Sequence, residues 1–208
     1  MSYIFLDVGA NWGHDSLNIT RDNQSIQTWA FEPTPELIDH LTDQSKEYSD
    51  RYHVIPIALC DFDGKSQFNV AASPHCDWGC SSLNTFSENL DQTWPGRDDF
   101  KVTKIIEVQV SRFDTWYQTN GFTFDKIDYF HCDTQGSDLK VLKGMGNLIS
   151  LIQEGVVECA QNEQVKLYKE NHTIEEMKDF LNSNGFDIIQ QQSNDIWSNE
   201  INVYFKKR

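Results

Sequence analysis

The chain reads as short apolar runs separated by polar, helix-compatible stretches. Residues 3–8 form an apolar run that exits into acid and glycine, the pattern of a buried strand. Residues 11–19 are expected to open a helix behind the glycines. Residues 27–31 predict a second strand, closed by Glu32-Pro33. Thr34-Pro35-Glu36 then begins a helix: Thr caps, Pro takes the first turn, and Leu37, Ile38 and Leu41 face inward. Residues 53–59 predict a third strand, and 66–71 a further strand or hairpin arm after the Asp63-Gly64 turn. Later strands are expected over 105–110, 127–132 and 155–159, with helices over 112–118 and 139–145. Thr173 and Glu176 have the spacing of a capping box. The helix they begin carries Ile174, Met177, Phe180 and Leu181 inward and stops near Asn184-Gly185. Residues 186–190 and 201–205 are two strands with only a polar loop between them.

Repeated strand–helix units imply a mostly parallel sheet covered on both faces, and the closing hairpin adds an antiparallel strand. Such sheets bind ligands outside the carboxyl ends of their strands. That singles out Asp7, Glu32, Asp61, Asp133 and Glu158. Residues 74–99, rich in Ser, Asn, Trp and Asp, are the least regular stretch, where functional loops are expected.

Composition narrows the function classes. A length of 208 residues suggests a single domain over 1–208, and 12% aromatic residues supply a sizeable core. The net charge of −15 repels phosphate backbones, so no nucleic acid is expected as a partner. No apolar run approaches the ~20 residues of a membrane span. The first residues lack a basic region and meet Asp7 early, unlike a signal peptide. The five cysteines are odd in number and irregularly spaced, which argues against a disulfide framework and for a cytoplasmic setting. Cys76 and Cys80, with His75 beside them, lack a second ligand pair and read as loop thiols rather than a metal knuckle.

The first strand exits into Asp7-Val8-Gly9-Ala10-Asn11-Trp12-Gly13. A dinucleotide fingerprint would need glycine where Asn11 and His14 stand, so NAD is disfavoured. An acid beside a glycine turn suits a cationic, amino-bearing ligand such as S-adenosylmethionine. Glu32, one unit downstream, is placed to accept both ribose hydroxyls, and Asp61 to face an adenine amino group. Any one of these acids alone reads as a turn former. Three in consecutive units, with the glycine turn in the first, point to the nucleoside.

These residues resemble the FkbM family of S-adenosylmethionine-dependent methyltransferases. The resemblance runs from roughly Ile4 to Cys159. It rests on Phe5-Leu6-Asp7-Val8-Gly9-Ala10-Asn11-Trp12-Gly13, Phe31-Glu32-Pro33, Ala58-Leu59-Cys60-Asp61 with Gly64, and Ser81-Ser82-Leu83. It continues in Arg112-Phe113-Asp114, in Ile127-Asp128-Tyr129-Phe130-His131-Cys132-Asp133-Thr134-Gln135-Gly136, and in Val141-Leu142-Lys143-Gly144. The resemblance implies a Rossmann-like class I methyltransferase fold, a seven-stranded mostly parallel sheet with a C-terminal antiparallel hairpin strand. It also implies methylation of hydroxyl oxygens, often on sugars or natural products. By it, Asp7, Gly9, Asn11 and Gly13 would hold the methionine end of the cofactor, Glu32 the ribose and Asp61 the adenine, with Ser82 beside the cofactor. Where the family commonly reads Lys-Ile-Asp-x-Glu-Gly, this chain has His131-Cys132-Asp133-Thr134-Gln135-Gly136. With the first strand at the start of the chain, acceptor recognition is expected from residues 74–99 and from the stretch after Glu158.

His131 and Asp133 are two apart on one strand and therefore share a face. An imidazole with a pKa of about 6.5 suits a general base at neutral pH, so His131 is expected to take the acceptor's proton and Asp133 to orient it or the acceptor. A divalent ion held by Asp133 and Glu158 is conceivable, but nothing in the sequence requires one. His14, His40, His53 and His172 read as surface or helix residues, while Trp78 and Trp94 either stack on a sugar face or pin their loop. The expected activity is O-methylation of a sugar or glycan hydroxyl, on a small-molecule or glycan acceptor. The alternatives are N- or C-methylation of another small molecule, or a non-catalytic cofactor-binding scaffold. The oligomeric state is open.

Overall fold

The computed structural model describes residues 2–72, 78–97, 99–121 and 124–208. The strands are β1 (Tyr3–Val8), β2 (Ile26–Phe31), β3 (Tyr52–Ile55), β4 (Ala58–Leu59), β5 (Gly64–Val70), β6 (Lys104–Ser111), β7 (Ile127–Cys132), β8 (Ile152–Ala160), β9 (Phe186–Ser193) and β10 (Glu200–Lys207). The helices are α1 (Leu17–Asp22), α2 (Pro35–Gln44), α3 (Leu90–Thr93), α4 (Phe113–Thr119), α5 (Asp138–Gly144) and α6 (Ile174–Ser183). Seven strands form one sheet in the order β3-β2-β1-β7-β8-β10-β9. β3, β2, β1, β7 and β8 pair in parallel, and β10 runs antiparallel between β8 and β9. This is the expected doubly wound sheet with its closing hairpin.

The sheet has two unlike faces. Leu6, Val8, Phe130, Cys132, Val157, Val203 and Phe205 form the floor of the main core, under Phe113 and Trp116 of α4, Val141 and Leu142 of α5, and Met177 and Leu181 of α6. Alternation along each strand sends their neighbours to the opposite face. There α1 lies over β2 and β3, where Thr20 and Thr28 share a hydrogen bond and Ser16 meets Tyr52. α2 closes a smaller cluster of Ala10, Ala30, Leu41 and Tyr52 on that same side. The predicted capping box is present at Thr173 and Glu176 and starts α6.

Two predicted elements differ. The strand expected over 53–59 is broken at Pro56, which has no N–H to give a ladder. β3 stops at Ile55, and β4 joins a separate three-stranded sheet of order β4-β6-β5. That sheet was not foreseen, because β5 and β6 pair across an irregular stretch of more than thirty residues. The helix expected from residue 11 starts only at Leu17, since Asn11 and Gly13 hold left-handed backbone angles, φ +49° and +75°. No helix among the described residues is long and apolar enough to cross a membrane.

Candidate active site

The site is built where β1, β2 and β7 end. The turn after β1 is folded back by Gly9 and Ala10 N–H groups, which donate to the Phe31 carbonyl at 3.0 and 3.1 Å. Gly9 sits at φ +83°, and a Cβ there would lie 2.0 Å from the Asp133 carbonyl oxygen. Only glycine lets the β1 turn and the β7 exit approach this closely. Next to the turn, Glu32 is buried with both carboxylate oxygens engaged. Oε2 accepts the Asn11 N–H at 2.9 Å and Oε1 the Thr34 N–H at 2.8 Å. Burial raises the Glu32 pKa against the pull of those N–H donors, and the charge of Asp7 adds to the rise. Glu32 and Thr34 line a cavity of 120 Å³, with Asn11, Leu59, Phe68, Trp78, His131 and Asp133 among its other walls.

Parallel pairing of β1 and β7 puts Asp7 directly beside His131. His131 Nδ1 lies 2.9 Å from Asp7 Oδ1, so the imidazole donates to the carboxylate and keeps Nε2 for another partner. Asp15 Oδ2 stands 3.9 Å from that Nε2. Burial works against an imidazolium here. The Asp7 hydrogen bond and charge, with Asp15 and Asp133 behind them, outweigh it and push the His131 pKa up to about 9. In this state His131 carries its proton at neutral pH, which differs from the free base of pKa about 6.5 expected from sequence. Asp7 Oδ2 and Asn11 Oδ1 are buried beside this pair without a protein partner.

Asp133 lines the same cavity, but its hydrogen bond goes to Gln135 Nε2 at 2.7 Å rather than to His131. Asp7, not Asp133, orients the imidazole. Gln135, at φ +56°, also donates to Glu158 Oε2 at 3.3 Å and accepts from the Tyr168 hydroxyl at 2.9 Å. Asn194 donates to the other Glu158 oxygen. Asp133 and Glu158 thus share an amide donor. Among the described residues no three His, Cys, Asp or Glu side chains are grouped to hold a metal. Burial, reinforced by neighbouring carboxylates, raises the pKa of Glu158 well up, of Glu200 to about 8 and of Asp138 to about 7.

The structure brings Asp7, Gly9, Asn11, Glu32, His131 and Asp133 together. Gly13 serves packing instead: a Cβ there would meet Leu17 and Leu41 at 2.6 and 2.7 Å. Ser82 is buried behind the cavity, donating to the Gln135 carbonyl at 2.6 Å, while Ser81 is the serine on its wall. Asp61 lies outside the cavity and exposed, because the break at Pro56 carries its segment into the second sheet, where Ala58 and Leu59 reach the wall in its place. His75 and Cys76 fall outside the described residues. Trp94 is fully buried against Phe100 and pins its loop. Sequence reasoning missed Asp15, whose approach to His131 follows from the delayed start of α1.

A family model described as the Methyltransferase FkbM domain matches residues 7–188. A curated relative, 2-O-methyltransferase NoeI of Sinorhizobium fredii (strain NBRC 101917 / NGR234), is 24% identical over 144 residues, 68% of this chain and 56% of its own. The crystal structure of Methyltransferase FkbM from Methylobacillus flagellatus KT superposes with TM-score 0.60 at 14% identity, over 98% of this chain and 43% of that one. Magnesium protoporphyrin IX methyltransferase (ChlM) from Synechocystis PCC 6803, crystallised with bound SAM, gives TM-score 0.53 at 11% identity, over 100% of this chain and 71% of that one. The chain therefore spans about half the length of the first two proteins it matches.

Proposed function

From the premise that the chain belongs to the FkbM methyltransferase family, we propose that it transfers a methyl group from S-adenosylmethionine to a hydroxyl oxygen of a sugar or glycan. The observation that carries this reading is His131 on the wall of the Glu32 cavity, held from behind by the buried Asp7 at the end of the adjacent central strand. The curated relative is named a 2-O-methyltransferase and the ChlM structure holds SAM, which supports both halves of the reading.

The residues present fit the cofactor. Glu32 lines the cavity, and each of its oxygens spends one lone pair on a backbone N–H, leaving another for a ribose hydroxyl. The buried and unpartnered Asp7 Oδ2 and Asn11 Oδ1 are acceptors suited to an ammonium group. Phe31, Leu37, Leu59 and Phe68 supply apolar walls for a purine. A second cavity of 680 Å³, within the roughly 300–1,000 Å³ of small-molecule sites, shares the wall residues Asp15, His131 and Asp133 with the first.

When bound, S-adenosylmethionine supplies a methyl group on a sulfonium that is already electrophilic. The chain has to align an acceptor oxygen and remove its proton. Asp7 fixes the ring of His131 through Nδ1–H, so Nε2 is the atom that takes the hydroxyl proton. His131 must first lose its own proton. That loss becomes easier once a cation shares Asp7, Asp15 and Asp133 with it. Asp133, held by Gln135, stays an acceptor on the wall between the two cavities.

Calorimetric titration with S-adenosylmethionine and S-adenosylhomocysteine tests the cofactor, with Asp7→Ala and Glu32→Ala as controls. Saturable binding lost in the controls is expected. A folded wild type that binds neither compound removes the methyltransferase reading.

A further inference from the structure

Resting on that reading, we propose that the face of the main sheet opposite the main core, where β1, β7, β8 and β10 line a cavity beside α1, is the acceptor site, a groove for a neutral, hydroxyl-rich oligosaccharide that delivers one hydroxyl to His131.

Register places the residues. Phe5 pairs with Tyr129 and Asp7 with His131 between β1 and β7. His131 pairs with Val156 on β8, and Val156 and Glu158 face Tyr204 and Asn202 of β10. All therefore project from the face opposite the main core. There the 680 Å³ cavity runs from Tyr3 across Tyr129 to Tyr204, lined also by Ile19 of α1 and by Asn23 just after it. It is adjacent to the cofactor cavity, with Asp15, His131 and Asp133 lining both. Asp15, whose carboxylate stands 3.9 Å from His131 Nε2, lines both cavities.

The lining chooses the ligand class. Three tyrosines offer flat ring faces, and one ring is held in place by an edge contact of Tyr129 with Phe5 at 5.5 Å. Burial raises the Tyr129 hydroxyl to about 12, helped by Tyr204, Tyr3, Glu154 and Asp15, so its phenol is a neutral donor and acceptor. Asn23, Ser25, Asn194 and Asn202 intersperse amides and a hydroxyl with the rings. Ring faces alternating with amides match the apolar faces and equatorial hydroxyls of sugar rings. The charge nearby is mostly negative: against the one protonated imidazole of His131, Asp15 and Asp133 line the groove, Glu154 and Asp128 stand near Tyr3, and Lys206 is already paired with Glu154 at 3.5 Å. Phosphorylated or uronic-acid ligands are repelled.

The test uses the full chain loaded with S-adenosylhomocysteine, whose binding is first measured by calorimetry. Neutral trisaccharides of several linkages (maltotriose, cellotriose and xylotriose) and anionic trigalacturonate are then titrated at millimolar concentration and followed by ligand-observed NMR. The expected result is binding of at least one neutral trisaccharide and none of trigalacturonate. Tyr3→Ala and Tyr204→Ala should each weaken that binding about tenfold with S-adenosylhomocysteine affinity unchanged. No neutral trisaccharide binding to cofactor-loaded protein, binding insensitive to both tyrosine variants, or preference for the anionic ligand overturns the groove while leaving the cofactor reading intact. Failure to bind S-adenosylhomocysteine at all overturns both.

Discussion

Replacing Asp7 with asparagine isolates the charge that holds the proton on His131. The variant keeps an oxygen for the Nδ1–H contact of 2.9 Å but removes the anion. The imidazole side chain is only 17% exposed, so solvent screens the pair weakly. Moving its pKa from 6.5 to about 9 favours the imidazolium by about 3 kcal/mol, at roughly 1.4 kcal/mol per pH unit. Asp7 supplies the largest share of that favourable part, by hydrogen bond and by charge. In Asp7→Asn the ring is expected to titrate well below 9, because burial still pulls it down and only Asp15 and Asp133 retain an upward push. Asp15→Asn, at 3.9 Å and on an exposed carboxylate, lowers the value much less. The assay is an NMR titration of the ring resonances, assigned by their loss in His131→Gln. A histidine whose pKa is raised on folding stabilises the fold fully below 6.5 and loses that contribution as pH climbs through about 9. Wild-type stability should therefore fall across that window relative to Asp7→Asn. A wild-type ring titrating near 6.5, or one unmoved by Asp7→Asn, would refute the dyad.

Other substitutions read other parts of the site. Glu32→Gln must turn its amide NH₂ against either the Asn11 or the Thr34 N–H, and should weaken S-adenosylhomocysteine binding at least about tenfold by calorimetry; equal affinity removes Glu32 from the ribose. Gly9→Ala places a methyl 2.0 Å from the Asp133 carbonyl and should cost more than about 2 kcal/mol in urea denaturation, whereas Gly64→Ala, with nothing within 4 Å of its Cβ, costs only the backbone strain of about 1 kcal/mol. The Glu200 carboxyl, raised from 4.5 to about 8, lowers stability as pH rises between those values; Glu200→Gln should flatten that decline, and parallel pH profiles of the two proteins would contradict it. Thr173→Ala removes a complete capping box and should cost about 1 kcal/mol, read from the denaturation midpoint.

What the sequence determined by itself is what local spacing encodes. The run into Asp7, the glycine turn, the acid after β2, the capping box of α6 and the closing hairpin follow from hydrophobic period, turn chemistry and cap preference within a few residues. Strand alternation also shows that His131 and Asp133 share a face, though not what either touches. The tertiary structure decided the partners. Asp7 and His131 are 124 positions apart and meet only because β7 pairs with β1. Asp15 reaches the imidazole because left-handed angles at Asn11 and Gly13 delay α1. Asp61 leaves the site because one proline moves its segment into a different sheet. The exchange of Asp133 for Asp7 as the orienting acid, and the raised pKa of His131, both come from that long-range pairing. A residue's own neighbours fix which way its side chain points. Which side chain waits there is settled by strand order, and strand order is a property of the whole packed chain.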